Sequence, residues 1–360
     1  MKLPTVGLAL ALCAAPAAAQ DTPARPPAAP AFPSVKVGIT LFTDYTITQR
    51  PKVIDADDNV VTLSAFQVTR SYINVTGNLS RRVAFRLTPD ITRETGTGSS
   101  LTGSYTFRLK YAYVQWNLDD IMTAGSYARL GMQDTPWISF TDNIYRYRFQ
   151  GSLLPDREGY LSSADIGASF RYVFPGDRGD VHAGLYNGET FARPEVNDQK
   201  GFMVRGTVRP VPGHAALRGL RVSGFYDRDA YVKDADRNRA IFGVTYEHRR
   251  ANAGFEYLAA RDQNASTRRT PVEARGWSWW TTPRLGRGWE GLLRADSLTP
   301  DRAAADQNKR RVIAGLAYWF PLQANLQTAL LLALEDVRYQ RFVPARADER
   351  RIAVHALINF

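Results

Sequence analysis

The sequence is poor in cysteine and lacks a long apolar run after its first residues. Cys13 is the one cysteine among 360 residues, so neither the fold nor a functional site is expected to depend on disulfides or thiolates. No segment beyond residue 20 has eighteen consecutive apolar residues. That absence excludes a membrane-spanning helix from this part of the sequence, because such a helix needs roughly 20 apolar residues.

Histidine is also scarce. The four histidines are His182, His214, His248 and His355, and none lies in a recognisable Ser/His or metal-ligand motif. No glycine-rich phosphate loop follows a strand and opens a helix. We therefore expect no enzymatic activity, no metal site, no cofactor and no nucleic-acid partner.

The start of the sequence has the pattern of an export signal. Met1-Lys2-Leu3 is followed by an apolar run and then by Ala17-Ala18-Ala19. A basic start, a short apolar core and small residues before a cleavage point are typical of a secretory signal peptide. We predict a signal peptide over residues 1–19 and a proline-rich periplasmic leader over residues 20–34. An exported chain without a membrane helix is either a soluble protein or a barrel.

From Val35 onward, apolar and polar residues alternate with a period of two. The first strand is apolar at Val35, Val37, Ile39 and Leu41, and the sequence ends in the same way, with an apolar residue at every second position up to Phe360. Successive side chains of a strand point to opposite faces, so each such strand has one apolar and one polar face.

The spacing of these segments indicates about sixteen strands joined by alternately long and short connections. Gln49–Val60 and Ser139–Tyr160 are long polar connections, whereas Pro210–Gly213 and Arg249–Arg250 are tight turns. A soluble β-sandwich also alternates, but its long loops fall at both ends. We therefore predict an all-β fold over residues 35–360: a transmembrane antiparallel β-barrel with short periplasmic turns and long extracellular loops.

Aromatic residues near the predicted turns favour the same interpretation. They occur at Tyr172, Phe174, the run Tyr318–Phe320, and the group Trp277, Trp279 and Trp280. Such rings suit the boundary between hydrocarbon and water. The terminal Phe360 is the signal that the barrel-assembly machinery of Gram-negative bacteria reads, so we expect that machinery as a partner.

If the apolar face meets lipid, the polar face lines a lumen, and arginine dominates that face. The basic residues predicted to point inward are Arg70, Arg82, Arg86, Arg108, Lys110, Arg129, Arg171, Arg205, Arg209, Arg221, Arg239, Arg294 and Arg351. The acidic residues predicted to point inward are Asp44, Asp90, Asp165, Asp227, Glu256, Glu290, Asp296 and Glu335. The net charge of +11 agrees with this excess, and rings of Arg or Lys are the usual basis of anion pores. Many of these arginines are alternatively cross-strand braces.

The third long loop, residues 139–160, combines aromatic and basic residues in Tyr145-Arg146-Tyr147-Arg148-Phe149. A loop of this length needs a functional reason, and a sixteen-stranded barrel is wide enough to hold it. We predict that it folds into the lumen and forms the constriction. The alternative is an external loop packed on the rim. The predicted constriction and anion-contacting residues are Arg146, Arg148, Arg157, Arg129, Arg108, Lys110, Arg86 and Arg171.

Several segments resemble the phosphate-selective porin family, porins O and P. They are Arg70–Gly77, Arg129–Trp137, Ala164–Phe170 and Gly184–Glu189. The resemblance implies a sixteen-stranded homotrimeric porin that passes anions, with its third loop inside the barrel. Phosphate-selective members carry a lysine-rich binding zone, whereas lysine is scarce here.

Together these observations predict an outer-membrane porin of a Gram-negative bacterium, giving passive diffusion of small hydrophilic solutes with a preference for anions such as phosphate. Outer-membrane lipid and lipopolysaccharide are expected partners. A substrate-specific channel for another solute and a structural or adhesive barrel are the alternatives.

Overall fold

The computed structural model describes residues 31–230, 232–263, 270–321 and 326–360, and the barrel unit comprises Pro33–Phe360. The predicted signal peptide and most of the predicted leader lie outside the described residues. Among the described residues, no helix is long and apolar enough to cross a bilayer.

Sixteen strands form one closed antiparallel barrel, in which each strand pairs with its sequence neighbours and β1 pairs with β16. The first eight strands are β1 (Ser34–Ile54), β2 (Val60–Asn78), β3 (Val83–Arg93), β4 (Tyr105–Asn117), β5 (Tyr127–Asp134), β6 (Ala164–Val173), β7 (Gly179–Tyr186) and β8 (Gly201–Val208). The last eight are β9 (Leu220–Ala230), β10 (Asp236–His248), β11 (Ala251–Gln263), β12 (Pro271–Gly286), β13 (Trp289–Thr299), β14 (Asn308–Trp319), β15 (Gln327–Gln340) and β16 (Glu349–Asn359). The predicted fold class and strand number are therefore confirmed.

Two boundaries differ from the prediction. The connection predicted at Gln49–Val60 is largely strand, because Val53 and Ile54 pair with Val61 and Val60. The third long loop, predicted over residues 139–160, spans residues 135–163, because β5 ends at Asp134 and β6 begins at Ala164; it contains helix α1 (Ile138–Tyr145) and the short helix α2 (Leu154–Arg157). Both helices belong to the connection between β5 and β6.

Side chains alternate between an exposed outer face and a buried inner face along each strand. On β12, for example, Trp277 and Trp279 are exposed on the outside, whereas Ser278 and Trp280 are buried on the inside. The outer face is rich in large apolar residues that are 40–60 % exposed, such as Val312 at 55 % and Leu332 at 56 %. The structure thus has an apolar exterior around a polar interior, the reverse of a water-soluble protein.

Candidate functional site

The connection between β5 and β6, residues 135–163, is called here the inserted segment, and it is held by inward-facing side chains of the barrel. Four side chains from four strands donate hydrogen bonds to its backbone carbonyls, which inside a barrel would otherwise be unsatisfied. The pairs are Arg205 Nε to Pro136 at 2.8 Å, Asn252 Nδ2 to Ile144 at 2.8 Å, Arg294 Nη1 to Ser152 at 2.8 Å, and Arg239 Nε to Tyr160 at 3.0 Å. The inserted segment therefore lies against the inner face of β8, β10, β11 and β13.

An aromatic cluster fixes the middle of the inserted segment. Tyr145 meets Trp280 with ring centroids 5.1 Å apart, and Tyr147 stacks on Phe149 at 5.5 Å. Trp319 meets Tyr147 edge-on at 5.7 Å and donates to its hydroxyl at 2.9 Å. The cluster continues into the inner wall at Leu292, Ile313, Ala317, Ala329, Leu331, Ala333 and Leu357. The inner wall of β13–β16 is thus apolar where it carries the inserted segment.

Two of the aromatic residues predicted for the lipid boundary belong to this cluster instead. Trp280 and Trp319 face inward, whereas Trp277 and Trp279 face outward as predicted. The prediction for Trp280 and Trp319 was wrong because each follows directly on an outward-facing aromatic, Trp279 or Tyr318, and a run of aromatics hides the strand's alternation.

A second apolar contact seats the start of the inserted segment. Trp137 is 1 % exposed and packs with Phe225, with ring centroids 5.8 Å apart. Its indole Nε1 donates to Glu256 at 3.1 Å. Gly243 on the wall leaves the necessary space, since a Cβ there would lie 2.7 Å from the Trp137 ring. The wall residues are therefore shaped for this one side chain.

Ion pairs hold helix α2. Arg157 contacts both carboxylate oxygens of Glu335, at 2.6 and 2.7 Å. Arg311 bridges Glu158 at 2.7 Å and Glu335 at 3.2 Å, and Lys309 reaches Glu158 at 2.8 Å. Burial alone would raise the pKa of Glu158, but Arg311 and Lys309 outweigh it and hold the pKa below its ordinary 4.5. The network ties α2 to β14 and β15.

On its other side the inserted segment borders a cavity of about 600 Å³ that is rich in cations. Five cationic side chains line it, and only two carboxylates do, Asp134 and Asp142. The cations are Arg86, Lys110, Arg129, Arg146 and Arg148. A second cavity of about 380 Å³ shares Arg129 and Asp134 with the first and adds Arg171, Arg205, Arg209 and Arg221. These cavities are the water-accessible part of the lumen beside the inserted segment.

Two of the five cations contact no carboxylate within ion-pair distance among the described residues. Arg86 donates to Asn74 at 2.9 Å and to Thr88 at 3.0 Å, and its guanidinium lies 4.2 Å from the ring centre of Tyr111. Lys110 donates to the hydroxyl of Tyr72 at 2.9 Å. The positive charge of the larger cavity is thus least compensated at these two residues.

The other three cations of the larger cavity are paired. Arg129 contacts Asp134 at 2.7 Å, and Arg146 contacts Glu290 at 3.2 Å. Arg148 contacts Asp142 and, at 3.3 Å, Asp156. Both partners of Arg148 lie in the inserted segment itself, so this arginine also stabilises the segment's own conformation.

Six of the eight predicted anion-contacting residues line one of the two cavities. They are Arg86, Lys110, Arg129, Arg146 and Arg148 in the larger cavity, and Arg129 and Arg171 in the smaller. Arg108 and Arg157 line neither. Arg108 contacts Asp90 at 3.2 Å and lies 4.7 Å from the ring centre of Phe191, and Arg157 is held by Glu335. These two residues act as braces in the structure.

The inward-facing set also needs one correction and some additions. Arg82 precedes β3 in a turn, is exposed and contacts Asp120 at 2.8 Å, so it does not line the lumen. Arg284, Lys309 and Arg311 face inward but were not predicted to do so: Arg284 contacts Glu290 at 3.2 Å, and Lys309 and Arg311 contact Glu158. In the run Lys309-Arg310-Arg311, three consecutive basic residues conceal which of them point inward.

The comparisons with known proteins agree with this architecture. An anion-selective porin from Comamonas acidovorans matches with a TM-score of 0.62 and 13 % identity, over 91 % of this chain and 100 % of that chain. The outer-membrane channel DcaP of Acinetobacter baumannii matches with a TM-score of 0.60 and 11 % identity, over 91 % and 97 % of the two chains. OmpT of Vibrio cholerae, an outer-membrane protein described in a trimer form, matches with a TM-score of 0.56 and 14 % identity, over 90 % and 99 %.

No protein-family model matches the chain, and no curated protein matches it. The resemblance to the phosphate-selective porins is therefore not confirmed. At identities of 11–14 % the solved structures establish the fold alone: the chain is similar to porin-type barrels of sixteen antiparallel strands.

Proposed function

We propose that this chain is an outer-membrane channel that admits small hydrophilic solutes and favours anions. The observation that carries the proposal is the larger cavity, whose five cations face two carboxylates. A water-filled passage between low-dielectric walls concentrates ions of the opposite charge. Uncompensated Arg86 and Lys110 therefore raise the local concentration of anions beside the inserted segment. Phosphate is one of the anions that such a surface attracts, and arginine can hold it through two hydrogen bonds.

The outer membrane is the location that fits the exterior. Exposed apolar side chains cover the outer face of the strands, and a barrel closed on itself leaves no unpaired edge in hydrocarbon. Outer-membrane barrels place their short turns in the periplasm and their long loops outside. On that orientation Ser34, at the start of β1, and Phe360 lie at the periplasmic rim, where Phe360 is available to the assembly machinery. Removal of residues 1–19 as a signal peptide belongs to the same proposal.

The inserted segment is proposed to be the constriction. Its apolar and ion-paired side is fixed to strands between β8 and β16, so the solute path runs along its opposite side, between Arg146 and Arg148 on the segment and Arg86 and Arg129 on the wall. Arg157 is proposed to fix the segment through Glu335, without contacting the solute.

Charge-neutralising variants of the unpaired cations test the anion preference. Arg86→Gln and Lys110→Met each remove a cation that has no carboxylate partner. The wall therefore loses positive charge, and no carboxylate is left unpaired. In planar bilayers, the chloride-to-potassium permeability ratio of the double variant should fall about two-fold or more, since two of five cations are gone. Arg82→Gln, outside the lumen, is the matched control and should leave the ratio unchanged. An unaltered ratio in the double variant would refute the proposed role of this cavity.

A substrate-specific channel is the second candidate, and one feature favours it. The guanidinium of Arg129 lies 4.5 Å from the ring centre of Tyr113 and 4.0 Å from that of Tyr127. Rings on both sides hold the planar group in a fixed orientation, which suits recognition of a particular planar anion. Conductance that saturates with one anion and not with chloride would favour this candidate over a general channel.

An enzymatic role is not proposed. Within the part of the chain that the structure describes, the one hydrogen bond between a serine and a histidine joins Ser169 and His182 at 3.2 Å, but the Ser169 hydroxyl donates to Gln133 at 2.6 Å. A nucleophilic serine has to donate to its base, so this arrangement lacks the activation that hydrolysis requires. Among the described residues, no group of three or more potential ligands could hold a metal ion.

A homotrimer is the proposed assembly. The trimer form of OmpT from Vibrio cholerae, which shares the fold, supports it. Native mass spectrometry of the detergent-extracted protein checks the assembly directly, with three subunits as the expected mass and a single subunit as the contrary result.

A further inference from the structure

The outer face carries pairs of arginines that the strand register sets directly opposite each other. Arg310 on β14 pairs in register with Arg338 on β15, and Arg50 on β1 pairs with Arg350 on β16. All four are exposed. Like charges at directly opposite positions destabilise a sheet. Two such pairs on neighbouring pairs of strands therefore indicate that an anion lies over this face.

These arginines point outward, away from the lumen. Arg310 alternates with Arg311, which contacts Glu158 inside the barrel, so Arg310 lies on the outer face with Val312. Arg338 alternates with Val337, which is 1 % exposed on the inside. The anions that are proposed to enter the lumen therefore cannot neutralise these outward-facing arginines.

The carboxylates of this face are too few to neutralise it. Asp336 contacts Arg338 at 3.1 Å and stands opposite Arg350. Two further acids are already paired, Glu273 with Arg302 at 2.7 Å and Asp306 with Arg341 at 2.5 Å. Within the described residues, Arg50, Arg275, Arg310 and Arg350 form no ion pair.

A groove of about 440 Å³ lies in the middle of this charged face. Three arginines, Arg275, Arg302 and Arg310, line it against one carboxylate, that of Asp306, which Arg341 already pairs. On the strands that lead from it toward the opposite rim, the outward-facing residues are apolar, including Trp277 at 40 % and Val312 at 55 % exposure. A concave cationic site directly above an exposed apolar surface matches a molecule with an anionic head and hydrocarbon chains.

We propose that this face, formed by Arg275, Arg302, Arg310 and Arg338 with the apolar surface beside it, binds the phosphorylated headgroup of a membrane lipid of the surrounding leaflet. Phosphate offers several acceptor oxygens to planar guanidinium groups, and the spread of arginines over β12–β15 suits a headgroup with more than one phosphate. The acyl chains then lie on Trp277 and Val312. The inference rests on the membrane location proposed above and does not depend on anion conduction.

Native mass spectrometry tests the site. The full-length mature protein in detergent is titrated with bisphosphorylated lipid A, with monophosphorylated lipid A and with phosphatidylcholine. The triple variant Arg275→Gln, Arg310→Gln, Arg338→Gln should retain bisphosphorylated lipid A at least about ten-fold more weakly than the wild type, because it loses the charge-assisted hydrogen bonds of three guanidinium groups to phosphate. Arg81→Gln, Arg249→Gln, Arg287→Gln removes the same charge at the opposite rim and should bind as the wild type does.

Three results would overturn the lipid site. The first is that the triple variant retains the bisphosphorylated lipid as well as the wild type does. The second is that the wild type retains phosphatidylcholine as well as it retains bisphosphorylated lipid A. The third is that millimolar inorganic phosphate displaces the lipid, which would identify free phosphate as the occupant. Bilayer recording of the triple variant separates the two proposals. An unchanged preference for anions is expected there, whether or not the lipid binds.

Discussion

At the scale of single residues, charged side chains of the lumen divide into braces and cations that have no carboxylate partner. Arg157 and Arg311 share Glu335 and are largely enclosed, whereas Arg86 and Lys110 contact hydroxyl and amide oxygens only. A buried charge whose partner is removed is costly, because the remaining charge stays out of water. The first group therefore contributes to stability, and the second contributes to the field in the cavity.

The Glu335→Gln variant tests this division. It leaves Arg157 and Arg311 without their shared carboxylate, and we expect the free energy of unfolding to fall by about 3 kcal/mol. Asp120→Asn removes one partner of the exposed Arg82–Asp120 pair and should cost less than about 1 kcal/mol. Urea unfolding in detergent, followed by gel mobility without heating, measures both. Equal losses in the two variants would show that Glu335 is not a brace.

At the scale of elements, the inserted segment is fixed on its apolar side and open on its cationic side. Tyr147 is fully buried, packs on Phe149 and Trp319, and donates to Glu290 at 3.2 Å. We expect Tyr147→Ala to release the segment, since truncating a buried aromatic costs about 3–5 kcal/mol. Single-channel recordings should then show larger or noisier conductance. Tyr318→Ala, on the outer face of β14, should conduct as the wild type does, and an unchanged conductance in Tyr147→Ala would argue against a constriction here.

The ion pairs that attach α2 to the barrel wall should also depend on pH. The pKa of Glu158 lies below 4.5 in the folded chain, so its ion pairs stabilise the fold at pH above that value. The contribution is lost as the pH falls through the folded pKa. The wild type should therefore be more stable than Glu158→Gln at about pH 6, and the difference should shrink toward about pH 3. Chemical unfolding of both proteins across this range provides the measurement, and a constant difference would contradict the assignment.

The sequence predicts the elements better than it predicts their inner surface. Alternation with period two locates sixteen strands, because lipid outside and water inside impose the same rule on every strand. It fails at Trp280 and Trp319, since the inner wall turns apolar where the inserted segment packs. It also fails within the run Lys309–Arg311, where composition alone does not reveal that Lys309 and Arg311 point inward and Arg310 points outward. The inserted segment, against which Trp280 and Trp319 pack, lies more than about 130 residues away in sequence. No local sequence pattern therefore indicates this contact.

At the scale of the whole molecule, the account joins an apolar exterior, a segment fixed along one side of the lumen, and an excess of cations on the other. The long-range part of such a field is screened by salt over about 10 Å at 0.1 M. We therefore expect the preference for anions to weaken as salt rises from about 0.1 M to 1 M. The permeability ratio, measured across that range, checks this. A preference that does not change with salt would indicate short-range binding sites instead.

The most direct test of the central claim is the zero-current potential of the wild-type protein in a planar bilayer with a tenfold KCl gradient. If the cationic cavity governs passage, chloride crosses faster than potassium, and the dilute side becomes electrically negative. A dilute side that becomes positive would mean that cations pass preferentially, which contradicts the account.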